Sequence, residues 1–118
     1  MRIKNFIILL LIMMPLVGIA QGKNTKISFE VDGVCGMCKK RIEKVCIKTK
    51  GVRSAIWDIE SHQLSLIYDS RKVNLDSIKS NIVSVGHDTQ ILKSSDKAYS
   101  LLSPCCKYRD ADVVKNHK

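Results

Sequence analysis

With 118 residues the chain has room for one domain, which excludes an enzyme built from separate cofactor and substrate domains. Hydrophobic residues make up 45%, too many for a disordered chain and too few for a multi-span membrane protein, and the 5% aromatic content offers no stacking platform for single-stranded nucleic acid. The formal net charge is +9, and the five cysteines, an odd number, are too few for a disulfide scaffold.

Arg2 and Lys4 make a short basic start, and Phe6 to Ala20 follows as an uncharged apolar run. A membrane span needs roughly 17–25 apolar residues, more than this run supplies. Gly18 and Ala20 place small residues before a cut at Gln21, with a second cut available after Gly22. Residues 1–20 are therefore expected to be a secretory signal peptide. Its removal takes two positive charges and leaves +7. The remaining chain is expected to be periplasmic or secreted, where thiols tend to oxidise.

Lys26 to Asp32 alternates, with Ile27, Phe29 and Val31 on one face, and reads as a half-buried strand. From Gly36 to about Lys50, Ile42, Val45 and Cys46 fall at helical spacing, with Lys39, Lys40, Arg41, Glu43, Lys44 and Lys48 outside. Gly51 closes that helix. Val52 to Ile59 and Gln63 to Tyr68 read as strands around a turn at Ser61-His62. Asn74 caps a second helix that turns Leu75, Ile78, Ile82 and Val85 inward and stops at Gly86. Thr89 to Leu92 is expected to be a fourth strand. The order gives an α+β class, a ferredoxin-like βαββαβ sandwich over residues 24–93. Residues 94–118 are an extension: a two-turn helix over Asp96 to Leu102, then Pro104-Cys105-Cys106, then ten polar residues expected to fray.

Cys35-Gly36-Met37-Cys38 stands at a strand-to-helix junction. Thiolates at this spacing can point at one atom, and helix N-terminal amides lower their pKa. Soft thiolates select soft metals: Cu(I) first, with Hg(II), Zn(II) and Ag(I) as further candidates. A plain disulfide is the alternative for such a pair in a secreted protein.

The stretch from Ile27 to Leu92 resembles the heavy-metal-associated domain. The likeness rests on Val31-Asp32-Gly33-Val34-Cys35-Gly36-Met37-Cys38, on Ile42-Glu43-Lys44 continuing to Gly51-Val52, and on Val85-Gly86-His87-Asp88. That family includes copper chaperones, the metal-binding modules of copper-exporting P-type ATPases and a periplasmic mercuric-ion binder. The resemblance implies metal ligation by Cys35 and Cys38, and it places His87 beside the metal loop, as a third ligand or as a surface histidine at a helix end. The family usually has Gly-Met-x-Cys-x-x-Cys. Here Gly33 and Val34 run straight into Cys35, one residue shorter and without that methionine, so Val34 is expected to fill its packing role.

Cys46 is expected in the core. Cys105 and Cys106 are adjacent, so a bond between them is strained. Either they return to the metal loop as added ligands or one of them forms a disulfide to Cys35, Cys38 or another chain. The functions weighed are a non-enzymatic soft-metal binder that transfers or sequesters its ion, a thiol–disulfide oxidoreductase, and a basic adaptor for an acidic partner. The first is preferred. A mature chain whose only proline is Pro104 lacks the cis-proline that a thioredoxin-like oxidoreductase places opposite its active site. The partners expected are a metal-transporting membrane protein or other metal acceptor, with a transient metal-bridged dimer allowed and no nucleic acid.

Overall fold

The alternation of the first strand and the two helical stripes place almost all of the buried apolar side chains on one side of a small sheet. The computed structural model describes residues 24–117. The expected signal peptide and its cut sites lie outside the described residues, and among those residues no helix is long and apolar enough to cross a membrane.

Three strands form the sheet: β1 (Asn24–Glu30), β2 (Val52–Trp57) and β3 (Gln63–Asp69), in the order β1-β3-β2, antiparallel throughout. The register sets Phe29 and Trp57 on either side of Leu64, and Ile27 and Ala55 on either side of Leu66. Helix α1 (Gly36–Lys48) lays Cys38, Ile42 and Cys46 onto this face, all fully buried. Helix α2 (Leu75–Ser84) adds Ile78 and Ile82, its first turn held by Asn74 Oδ1 accepting from the Ser77 amide at 2.8 Å. This is the expected α+β sandwich, with two departures in the strands.

β2 ends at Trp57 rather than Ile59. The Asp58 carboxylate accepts from the amides of Glu60 and Ser61 at 2.9 and 2.8 Å, and this turn competes with further pairing. The fourth strand shrinks to a single bridge between Val31 and Thr89. Thr89 and Leu92 instead bond each other: the Thr89 amide reaches Leu92 O at 2.8 Å, and the Leu92 amide reaches Thr89 Oγ1 at 3.0 Å. The groups that a ladder needs are thus spent within one turn.

The described part of the extension, residues 94–117, forms short helices and turns where fraying was expected. Helix α3 covers only Asp96–Ser100, a 3₁₀ turn covers Pro104–Cys106, and α4 covers Ala111–Asn116, capped by Asp110. Leu102 and Cys106 are buried in the same core as the sheet, and Val113 and Val114 pack against it. Gly86 permits the return. Its φ is +104°, and a Cβ there would stand 2.9 Å from Leu102 Cδ2 and 3.0 Å from Ala98 O.

Cys46 is fully buried, as its place on the helix implied, and burial pushes its thiol up to about 12. Cys46→Ala is expected to lower stability by about 1 kcal/mol through a small packing loss. Metal stoichiometry should not change. A lost equivalent in metal analysis of the variant would place Cys46 in the site instead.

Candidate metal centre

The loop between β1 and α1 is fixed from below by Trp57. This ring is fully buried, and its Nε1 donates to Val31 O at 3.0 Å. Gly33 lies directly on it: a Cβ there would come within 3.0 Å of two ring carbons and 3.1 Å of Cys38 Cβ. Val34 is buried, as expected of a residue standing in for a core methionine. Lys39 and Glu43 lock the helix start to β2: Lys39 Nζ donates to Glu43 Oε2 at 2.6 Å and to Trp57 O at 2.8 Å, while Glu43 Oε2 accepts from the Trp57 amide at 2.8 Å. Cys35 caps α1 in extended backbone, and the first turn holds no acidic residue. The positive helix end therefore meets no carboxylate from its own first turn, and the Cys38 and Met37 amides act on the Cys35 sulfur.

Four sulfurs converge there. Cys35 Sγ is 3.2 Å from Cys38 Sγ and 3.2 Å from Cys106 Sγ. Cys105 Sγ is 3.9 Å from Cys106 Sγ, and the ligand atoms of Cys35, Cys105 and Cys106 lie within 4.8 Å of one another. All five cysteines are thiols. Cys38 and Cys106 are fully buried, Cys35 is 8% exposed, and Cys105 is half-buried.

Their acidities diverge. Burial pushes Cys35 up, but hydrogen bonding from the Cys106 thiol and from the amides of Cys38 and Met37 outweighs it and brings Cys35 down to about 7. Burial raises Cys38 by more than its hydrogen bonds to the Val34 backbone and the Cys106 thiol lower it. Burial also takes Cys106 up to about 11, against the pull of the neighbouring Arg41. Cys105 is raised by desolvation and by the adjacent Cys106.

Among the described residues, two buried side-chain polar atoms make no hydrogen bond: Arg41 Nη1 and His87 Nε2. Helical spacing puts Arg41 on the outer face of α1, but the residue is half-buried and acts on Cys106. His87 is fully buried rather than at the surface. Its Nδ1 donates to Asp32 O at 2.8 Å, its ring stacks on Tyr108, and burial followed by the Arg41 charge lowers it to about 4. It is a neutral imidazole with an unused Nε2 lone pair, and it joins no group of three metal-ligating atoms among the described residues.

The tail that delivers Cys106 is clamped by residues the sequence pattern did not single out. Tyr108 OH donates to Gly86 O at 2.5 Å and accepts from the Asp88 amide at 3.0 Å. Arg109 grips Asp88 through Nε at 3.2 Å and Nη2 at 2.9 Å, and Nη2 also reaches Ser94 O at 3.0 Å. The signal available in the sequence was the run Lys107-Tyr108-Arg109 directly after the cysteine pair.

The heavy-metal-associated domain matches residues 28–88, just over half of the chain. The chain belongs to this family. It is 37% identical over 59 residues to the copper chaperone CopZ of Staphylococcus aureus, covering 49% of this chain and 87% of that protein. It is 30% identical over 76 residues to a copper-exporting P-type ATPase of Staphylococcus epidermidis, covering 64% of this chain but only 9% of the ATPase. A solved CopZ metallochaperone structure superposes with a TM-score of 0.54 at 33% identity, covering 55% of this chain and 98% of that one. Cys35, Cys38 and His87 lie inside the family match, whereas Cys105, Cys106, Tyr108 and Arg109 lie beyond it.

Proposed function

We propose that this protein is a non-enzymatic carrier of Cu(I), held by Cys35, Cys38 and Cys106, that acts outside the cytoplasm. It would pass the ion to a metal-transporting membrane protein or other metal acceptor. The observation that carries the reading is the pair of 3.2 Å sulfur contacts centred on Cys35. A metal–thiolate bond of about 2.3 Å puts the sulfurs of a trigonal site about 4 Å apart and those of a linear site about 4.6 Å apart. Three-coordination thus demands the smaller opening of the cluster. Cu(I) accepts three thiolates in a plane, whereas Zn(II) asks for a tetrahedral set.

The likeness to copper chaperones supports copper as the cargo. The basic and apolar start of the chain supports export. A site with three thiolates carries net negative charge, and the unpaired Arg41 Nη1 stands ready to offset part of it. His87 keeps its Nε2 lone pair at the same end of the fold and shapes the site as a buried neutral neighbour.

Reduced protein is expected to take up about one Cu(I) per chain by the soft-ligand rule. Changing Cys35 and Cys38 together to Ser should abolish uptake, with the circular dichroism spectrum retained. Full-affinity binding by that double variant would sink the assignment. Stronger retention of Hg(II) than of Cu(I) under competition with the same thiol buffer would move the cargo to mercury.

A further inference from the structure

The two adjacent tail cysteines are not equivalent. Cys106 is fully buried and touches Cys35 at 3.2 Å. Cys105 lies at the rim: its Sγ is within 4.8 Å of those of Cys35 and Cys106, its thiol donates outward to Met37 Sδ at 3.5 Å, and of the five cysteines it is the one with more than slight exposure. Met37 is the second residue between Cys35 and Cys38, and it is 48% exposed although it is apolar and sits at the first turn of α1. A thiol and a thioether therefore stand together at the surface, one residue away from the inner thiols. A shallow recess beside Met37 is lined by Lys40, Arg41 and Lys44.

We infer that Cys105 and Met37 form an outer relay site through which Cu(I) enters and leaves the inner thiolates. This rests on the proposed Cu(I) reading. Cu(I) bound among sulfurs that are 0–8% exposed offers an incoming donor almost no line of attack. Exchange at a soft ion is associative, so a new sulfur must bind before an old one leaves. Cys105 supplies that sulfur from within. Its bond to the ion forms first, the bond to one inner thiolate then breaks, and the proton given up by Cys105 passes to the thiolate released. The oxidation state of copper does not change. Met37 then holds the ion by a neutral, weak bond, and the cations around the recess attract the thiolate or carboxylate of the accepting partner.

A relay lowers the barrier equally in both directions, and this gives the test. Cu(I) would be delivered to and withdrawn from the full-length reduced protein with bicinchoninate, a bidentate Cu(I) chelator, under stopped flow. Cys105→Ser is expected to slow loading and unloading by the same factor, about tenfold, so that affinity moves less than threefold. Met37→Leu should slow both by about threefold by the same logic. Cys105→Met, which keeps a soft sulfur at the surface, should restore most of the rate, an outcome that a purely structural role does not produce. Cys106→Ser should act in the opposite sense, with faster unloading and weaker binding.

The relay is overturned if Cys105→Ser and Met37→Leu exchange at the wild-type rate. It is equally overturned if Cys105→Ser weakens binding as much as Cys106→Ser does, which would make Cys105 an ordinary resting ligand. Wild-type protein that takes up no Cu(I) removes the parent reading as well, and that result appears before any variant is made.

Discussion

Truncation after Ser103 is expected to reduce the sulfur count around Cu(I) from three to two, to weaken binding by a hundredfold or so as one soft donor is lost, and to destabilise the fold by about 3 kcal/mol. The hydrophobic periodicity of the sequence is complete by Leu92, which by itself would leave the core little affected by this cut. The structure says otherwise, because Cys106 is a fully buried member of the core. Tyr108 OH also satisfies Gly86 O and the Asp88 amide, and Arg109 neutralises a carboxylate that is only 4% exposed. X-ray absorption counts the sulfurs, and urea unfolding gives the stability. A truncated protein with an unchanged unfolding midpoint would show that the clamp contributes nothing.

Two single variants separate the effects. Cys106→Ser should change the sulfur count with only a modest loss of stability, and Arg109→Met should do the reverse. The acid limb of stability tests the same clamp. Burial raises Asp88, but the Arg109 hydrogen bond and the Ser94 amide outweigh it and hold the carboxyl below its usual value. A group depressed in the folded state stabilises the fold above its unfolded pKa, about 4, and that contribution fades as pH falls below it. The midpoint difference between wild type and Arg109→Met should therefore shrink in acid.

The elements that sequence patterning located well are those whose signal is local. Ile42 and Cys46 at helical spacing, Asn74 as a cap and the alternation of β1 and β3 all stand where their periodicity put them. The loop cysteines were legible for the same reason, since their spacing and their strand-to-helix junction are adjacent in the chain. Tertiary facts decided what was missed. Thr89 to Leu92 has strand-like composition, yet a side-chain hydroxyl closed it into a turn. Arg41 looks like one more cation in a basic run, and only the returning tail brings Cys106 to it. Met37 is apolar, yet the first turn of α1 directs it outward to meet Cys105. The return of Cys106 could be argued from chain length, but the clamp that enforces it depends on Asp88 and Arg109, 21 residues apart.

Cu(I) affinity is expected to fall steeply with acid, with a slope that counts the ligands. Each thiol that must lose its proton to bind contributes about tenfold in affinity per pH unit below its pKa. Cys38 is raised by burial and Cys106 stands at about 11, so both are protonated at pH 8 in the metal-free protein. Cys35, at about 7, is already mostly thiolate there. Three-thiolate binding should therefore release two protons near pH 8 and three below pH 7. The slope of affinity against pH should steepen from about a hundredfold to about a thousandfold per unit across that interval. His87 does not blur the count, because burial holds it at about 4 and it stays neutral throughout. The measurement is competition with a chelator whose own protonation is corrected for, repeated at intervals from pH 6 to 8.5. A slope lower by one unit throughout would mean a two-thiolate site without Cys106. A slope higher by one throughout would make Cys105 a permanent fourth ligand, since its raised thiol would also have to give up a proton. The expected pair of slopes, two and then three, is the signature of an ion held by Cys35, Cys38 and Cys106 while Cys105 waits outside.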